Sequence, residues 1–246
     1  MSTVRTGPSI GLLAQVMVLL ALASTVGLTL AGWLIGIACG VGTNVALARG
    51  LNRHAVTTMG PADRVTLVRA TLVGAVAALT ADAFVRPVAL PALVTLAVVA
   101  LVLDAVDGWV ARRTGTASPL GARFDGEVDA FLILVLSVYV SRSIGPWVLA
   151  IGAARYLFLI AGWLLPWMRA SLPPRYWRKS VAAIQGVALT AAAAEVLPRQ
   201  SIVAVLVVAL GLLAESFGRD VWWLRQQSVR SLVAERPPLA VSLVRN

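Results

Sequence analysis

From Ile10 to Ala48 the chain runs 39 residues without a charged side chain, and that run decides most of what this sequence can become. A helix crossing the roughly 30 Å hydrocarbon layer of a bilayer uses about 20 residues, so the run is nearly two crossings long. It predicts a helical hairpin folding back between Gly27 and Gly32, with one long tilted helix as the alternative. Apolar windows of similar length follow at about 65–84, 87–110, 121–141, 146–168, 180–197 and 201–224, divided by charged residues, Pro and Gly. Inside lipid the backbone must satisfy its own hydrogen bonds, and a helix does so within one segment. The expected fold class is therefore all-α: a polytopic membrane helical bundle of eight spans. With 59% hydrophobic and 13% charged residues, the chain belongs with membrane proteins rather than soluble ones.

The basic residues fix an expected orientation. Of the 21 Lys and Arg, 17 lie in the N-terminus, in 49–69, 112–123 and 169–179, and from 219 onward. Only Arg86, Arg142 and Arg199 fall in the alternate loops. The positive-inside rule then places the first group in the cytoplasm. A net charge of +10 raises the question of nucleic acid, but the charges are spread between apolar segments and form no stripe, so no nucleic-acid partner is expected. The lone Cys39 excludes an internal disulfide, and His54, the single histidine, has no partner in sequence. Arginine outnumbers lysine twenty to one, which points to codon bias in a GC-rich bacterial genome. The expected location is the inner (plasma) membrane, multi-pass, with the pairs Asp104 and Asp107, and Asp125 and Asp129, at its cytoplasmic boundary. The first apolar run has no small-residue cleavage site, so it does not read as a cleaved signal peptide. Met59 to Leu72 reads as a short interfacial helix leading into a span, with Arg64 and Arg69 turned toward headgroups.

Five of the chain's 11 acidic residues fall between Asp104 and Asp129. Asp104 and Asp107 are three apart and Asp125 and Asp129 four apart, so on helices each pair shares a face within roughly 40–60° of arc. Facing carboxylate pairs repel unless a cation lies between them, and hard divalent ions with oxygen ligands, Mg²⁺ in particular, are the simplest answer. Glu127, two residues from Asp125, points to the far side of its helix and stays outside this set.

The segment reads DxxDGxxARx₈GxxxDxxxD, filled by Asp104, Asp107, Gly108, Ala111, Arg112, Gly121, Asp125 and Asp129. This resembles the signature of the CDP-alcohol phosphotransferase family of integral membrane enzymes. The resemblance implies a six-helix catalytic core, here 57–224, preceded by the hairpin of 1–56 and followed by a cytoplasmic tail, 225–246. It implies transfer of a phosphatidyl group from CDP-diacylglycerol to an alcohol, with release of CMP and two Mg²⁺ or Mn²⁺ ions. Asp104, Asp107 and Asp125 would be metal ligands, and Asp129 the general base that also touches a metal. Gly108 and Ala111 would let nucleotide approach the backbone, Arg112 would meet the diphosphate, and Gly121 would permit close packing near the pocket. Homodimerisation is implied by the resemblance alone.

Upstream, Pro61, Asp63, Thr66 and Arg69 match a family element, except that Asp63 stands where Asn is usual. Thr66 is expected to contact nucleotide, with helix packing as the alternative. Lys179 and Gln185 fit the family's entry into its fifth core helix. Arg175, Arg178 and Lys179, with Arg155 inside a span, are candidates for a phosphorylated acceptor. Topological anchoring explains the loop residues equally well, and a structural ion pair would explain Arg155. The acceptor stays open: a phosphorylated polyol such as glycerol 3-phosphate or inositol phosphate is favoured, with phosphatidylglycerol or serine as alternatives. Intramembrane prenyl transfer fits less well, because its two acidic motifs sit far apart. A transporter or metal-binding scaffold is the non-enzymatic reading.

Overall fold

The computed structural model describes residues 6–54, 61–114, 119–170, 172 and 176–234. Among them are eight α-helices and no strand: α1 (Thr6–Thr25), α2 (Leu30–His54), α3 (Pro61–Asp82), α4 (Leu90–Thr114), α5 (Pro119–Ile144), α6 (Leu149–Leu164), α7 (Tyr176–Ala193) and α8 (Arg199–Ala234). Four stretches are long and apolar enough to cross a membrane: Leu30–Arg49, Arg64–Asp82, Pro146–Leu164 and Arg199–Val229. Ile10–Thr25 and Leu90–Val106 are shorter apolar helices. The chain is an all-α membrane bundle.

The 39-residue run is a hairpin, not one tilted helix. Its turn passes through Gly27 at φ +74°, a left-handed conformation that suits a residue without Cβ. Thr29 then caps α2, its hydroxyl accepting from the Gly32 N–H at 3.4 Å. Asp82, at the end of α3, is fully buried and fastens this turn. It accepts from the Thr29 N–H (3.0 Å), the Thr29 hydroxyl (2.6 Å) and Arg86 Nη2 (3.1 Å). Arg86 Nη2 also donates to the Gly27 carbonyl at 2.6 Å. Charge and turn thus hold the hairpin to α3 at one end of the bundle.

Helix α3 is the axis of the fold. Its apolar stretch is 72% buried, against 17–28% for the other three long ones. Val73, Val76 and Leu79 belong to one core with Leu93 and Ala97 of α4 and Leu132, Leu136 and Val140 of α5. Small residues keep the neighbours close: Ala70, Ala75, Ala77 and Ala78 are all buried on α3. The α5–α6 crossing is closer still, since a Cβ on Gly152 would lie 2.6 Å from the Leu134 Cα and 2.2 Å from Ser137 Oγ. Gln185, fully buried on α7, donates to the Ala209 carbonyl of α8 at 2.7 Å. Large apolar side chains such as Leu13, Met17, Trp163 and Val208 face outward, as lipid-facing positions should.

Two expectations are corrected. Among the described residues no separate interfacial helix precedes the third span, because α3 runs unbroken from Pro61 to Asp82; Met59 and Gly60 lie outside them. Arg69 does not face headgroups: it is 1% exposed and turned into the bundle, where three carboxylates outbid the interface for its charge. In addition, α8 is continuous past 224 and extends to Ala234. The remainder of the expected tail lies outside the described residues.

Candidate functional site

Asp104 lies on α4, and Asp125 and Asp129 lie one turn apart on α5. The α3–α4–α5 packing brings one carboxylate oxygen from each within 4.8 Å of the others. These are hard oxygen donors, so the set fits a hard divalent cation of the Mg²⁺ class. All three are partly open, at 36%, 27% and 29% side-chain exposure, so a water-soluble ligand has access. The fourth expected ligand, Asp107, stands one turn beyond Asp104 on α4, and its side chain lies outside the described residues. So do the side chains of Ala111, Arg112 and Arg175.

Arg69 sits at the centre of this cluster. Its Nη1 bonds to Asp125 Oδ1 and lies 3.1 Å from Asp104 Oδ1, while Nη2 bonds to Asp129 Oδ1. Nε donates to the Ala100 carbonyl of α4 at 3.2 Å, which fixes the plane of the guanidinium. One buried cation therefore ties α3 to α4 and α5 through the residues the motif singled out. Thr66, one turn earlier on α3, is also buried. Gly108 and Gly121 lie on α4 and α5, both only partly exposed.

The acceptor candidates divide. Lys179, exposed on α7, is near enough for its charge to act on Asp104. Arg178 lies 3.7 Å from Asp220 of α8 and lines a small cavity of about 160 Å³ with Trp177, Ser216 and Arg219. Arg219 pairs with Glu215 at 2.8 Å, and Trp177 Nε1 donates to the same carboxylate at 2.8 Å. Arg155 is paired with Glu127 at 2.5 Å, across α5 and α6. Glu127 does point away from the aspartate face, as its two-residue offset requires. Its role is to meet an arginine that would otherwise lack an acidic partner within its span. Two residues thus matter more than the sequence suggested: Arg69, whose matching position in the upstream element was the available signal, and Glu127, whose partner lies 28 residues away.

Comparison with known proteins identifies the family. The profile described as CDP-alcohol phosphatidyltransferase matches residues 59–214, and the chain belongs to that family. The family uses CDP-alcohol donors and alcohol acceptors and is in general dependent on divalent metal. One curated relative is an archaetidylinositol phosphate synthase from Aeropyrum pernix, 39% identical over 102 residues. That match takes in 40% of this chain and 46% of the relative, so it spans about half of the relative's length. The relative is archaeal, whereas the arginine-rich composition pointed to a bacterial source. No solved structure gives a significant match.

Proposed function

We propose that the protein transfers a phosphatidyl-type group from a CDP-linked lipid such as CDP-diacylglycerol to a phosphorylated polyol, releasing CMP at the cytoplasmic membrane boundary. The observation that carries this reading is the convergence of Asp104, Asp125 and Asp129 on one point from two helices, within the DxxDGxxARx₈GxxxDxxxD pattern. Asp104, Asp107 and Asp125 would hold the divalent ions, with Asp129 shared between metal and base, and ions bound there would supply stabilisation of charge on phosphoryl oxygens.

The protein's own groups do the rest. A carboxylate oxygen of Asp129 takes the acceptor hydroxyl's proton as the hydroxyl oxygen bonds to the β-phosphorus. The bond from this phosphorus to the bridging oxygen breaks, and CMP leaves with the bridging oxygen and its electron pair. Arg112 and Thr66 orient the nucleotide diphosphate, which makes the attack in-line and effectively intramolecular. Gly108, Ala111 and Gly121 leave room for the nucleotide.

A phosphorylated acceptor is favoured by the basic sequence Arg175, Arg178 and Lys179, and by the electrostatic reach of Lys179 to Asp104. The relative's name supports inositol phosphate as the first acceptor to try. Arg155 belongs to the same reading only as far as its pairing with Glu127 is exchanged for an acceptor phosphate. The test uses purified full-length protein with CDP-diacylglycerol and Mg²⁺ or Mn²⁺. Inositol phosphate, glycerol 3-phosphate, serine and phosphatidylglycerol are offered in parallel. Metal-dependent CMP release, greatest with a phosphorylated polyol, is expected. No CMP release with any acceptor, together with metal flux in proteoliposomes, would favour a transporter instead.

A further inference from the structure

We propose that Arg69 is a tethered competitor of the divalent cations: its guanidinium and a metal ion draw on the same carboxylate oxygens, so Arg69 sets the metal concentration at which the site loads. This rests on the metal-site reading above. Arg69 makes contact with an oxygen of each of Asp104, Asp125 and Asp129, the three residues whose oxygens lie within 4.8 Å of one another. A second cation entering that space has to take oxygens from the first or share them under repulsion. Arg69 cannot simply swing into water, because it is 1% exposed and its Nε is held by the Ala100 carbonyl. The carboxylates, by contrast, keep their open sides.

The arrangement has two effects. Three acidic groups stay together without external cations, because a buried arginine neutralises part of their repulsion. Metal binding is weakened in return, since linkage makes the antagonism between two cations mutual. A merely structural arginine would have the opposite signature, with its removal loosening the cluster and weakening metal binding.

The experiment is Mn²⁺ binding to the full-length protein in detergent, read as free Mn²⁺ by electron paramagnetic resonance, with thermal melts at several Mn²⁺ concentrations. Arg69→Lys keeps the charge but loses the planar fork that bridges several oxygens, and should bind Mn²⁺ about threefold or more tightly than the wild type. Arg69→Gln should bind it about tenfold or more tightly, melt lower without Mn²⁺, and gain more in melting temperature when Mn²⁺ is added. If Arg69→Gln folds only with Mn²⁺, that dependence supports the proposal. Wild-type or weaker Mn²⁺ affinity in Arg69→Lys overturns it. Absence of Mn²⁺ binding by the wild type is a different failure, because it removes the metal site itself and the proposal with it.

Discussion

Asp82→Ala tests whether the hairpin is held to α3 by charge or merely lies against it. The substitution removes the acceptor for the Thr29 N–H, the Thr29 hydroxyl and Arg86 Nη2. Breaking a buried ion pair from one side costs about 3–5 kcal/mol, because the partners lose a charge they were folded around. Here the side chain of Arg86 is 37% exposed, so water replaces part of what it loses and the cost falls near the lower end, about 3 kcal/mol. For a chain of this size each kcal/mol lowers the melting temperature by about 2–4 °C, so a fall of about 6–12 °C is expected. The eight tryptophans make intrinsic fluorescence in detergent the natural assay. Arg86→Ala leaves the Thr29 donors on Asp82 and should cost less than Asp82→Ala. Asp82 lies 13 residues beyond Arg69, about 20 Å along α3, so CMP release below the transition should be unchanged. A melting temperature within about 2 °C of wild type, or a larger loss in Arg86→Ala, would refute this account of the clasp.

Asp129→Asn should lower CMP release by about 10²- to 10⁴-fold while the protein stays helical by circular dichroism; undiminished activity would remove Asp129 from the base role. Chelation with EDTA should stop CMP release and added Mg²⁺ or Mn²⁺ restore it, measured on one sample in sequence. Gly152→Ala puts a methyl 2.6 Å from the Leu134 Cα and should cost about 1–3 kcal/mol in a thermal melt, whereas an unchanged melt would mean that α5 and α6 slide apart freely. Glu127→Ala breaks a pair whose members are 41% and 49% exposed and should cost no more than about 1 kcal/mol. If Arg155 serves the acceptor, Arg155→Ala raises the acceptor KM several-fold and Glu127→Ala does not; equal effects would assign the pair to structure alone.

The helices were legible in the sequence because each reports a bulk property, about 20 apolar residues between polar breaks, and lipid leaves the backbone little choice. The hairpin followed from length alone, and Gly27 marked its turn. The clustering of Asp104, Asp125 and Asp129 was legible because helical periodicity turns spacing into a shared face. Arg69 was not, because a rule that counts arginines near span ends registers charge and position along the chain but not its partners. Its environment is set by α4 and α5, which reach it from 31 to 60 residues away. Glu127 and Asp82 were opaque for the same reason: one meets α6 and the other the turn before α2, contacts that only the packing of the whole bundle defines. The tail from Arg225 reads as a separate surface helix because its residues mix polar and apolar types, whereas it continues the last span without a break to Ala234.

The buried arginine also bears on how the bundle is made. In synthesis order α3 precedes every carboxylate that Arg69 binds, by 35 residues for Asp104 and 60 for Asp129. At about 5–20 residues per second, the last partner arrives roughly 3–12 s later. Through that interval an arginine near the helix centre carries a penalty of about 2.5–3.5 kcal/mol for lipid insertion. Arg69 escapes much of it by position, because it falls in the first third of the apolar stretch Arg64–Asp82 and its long stem reaches back to the interface. Held at the interface in this way, Arg69 places no large barrier to insertion of the nascent helix before α5 supplies Asp125 and Asp129. The ionic tie of the aspartate cluster consequently closes only once α5 has been made, about halfway along the chain and before α6, α7 and α8, so a chain interrupted before α5 lacks it.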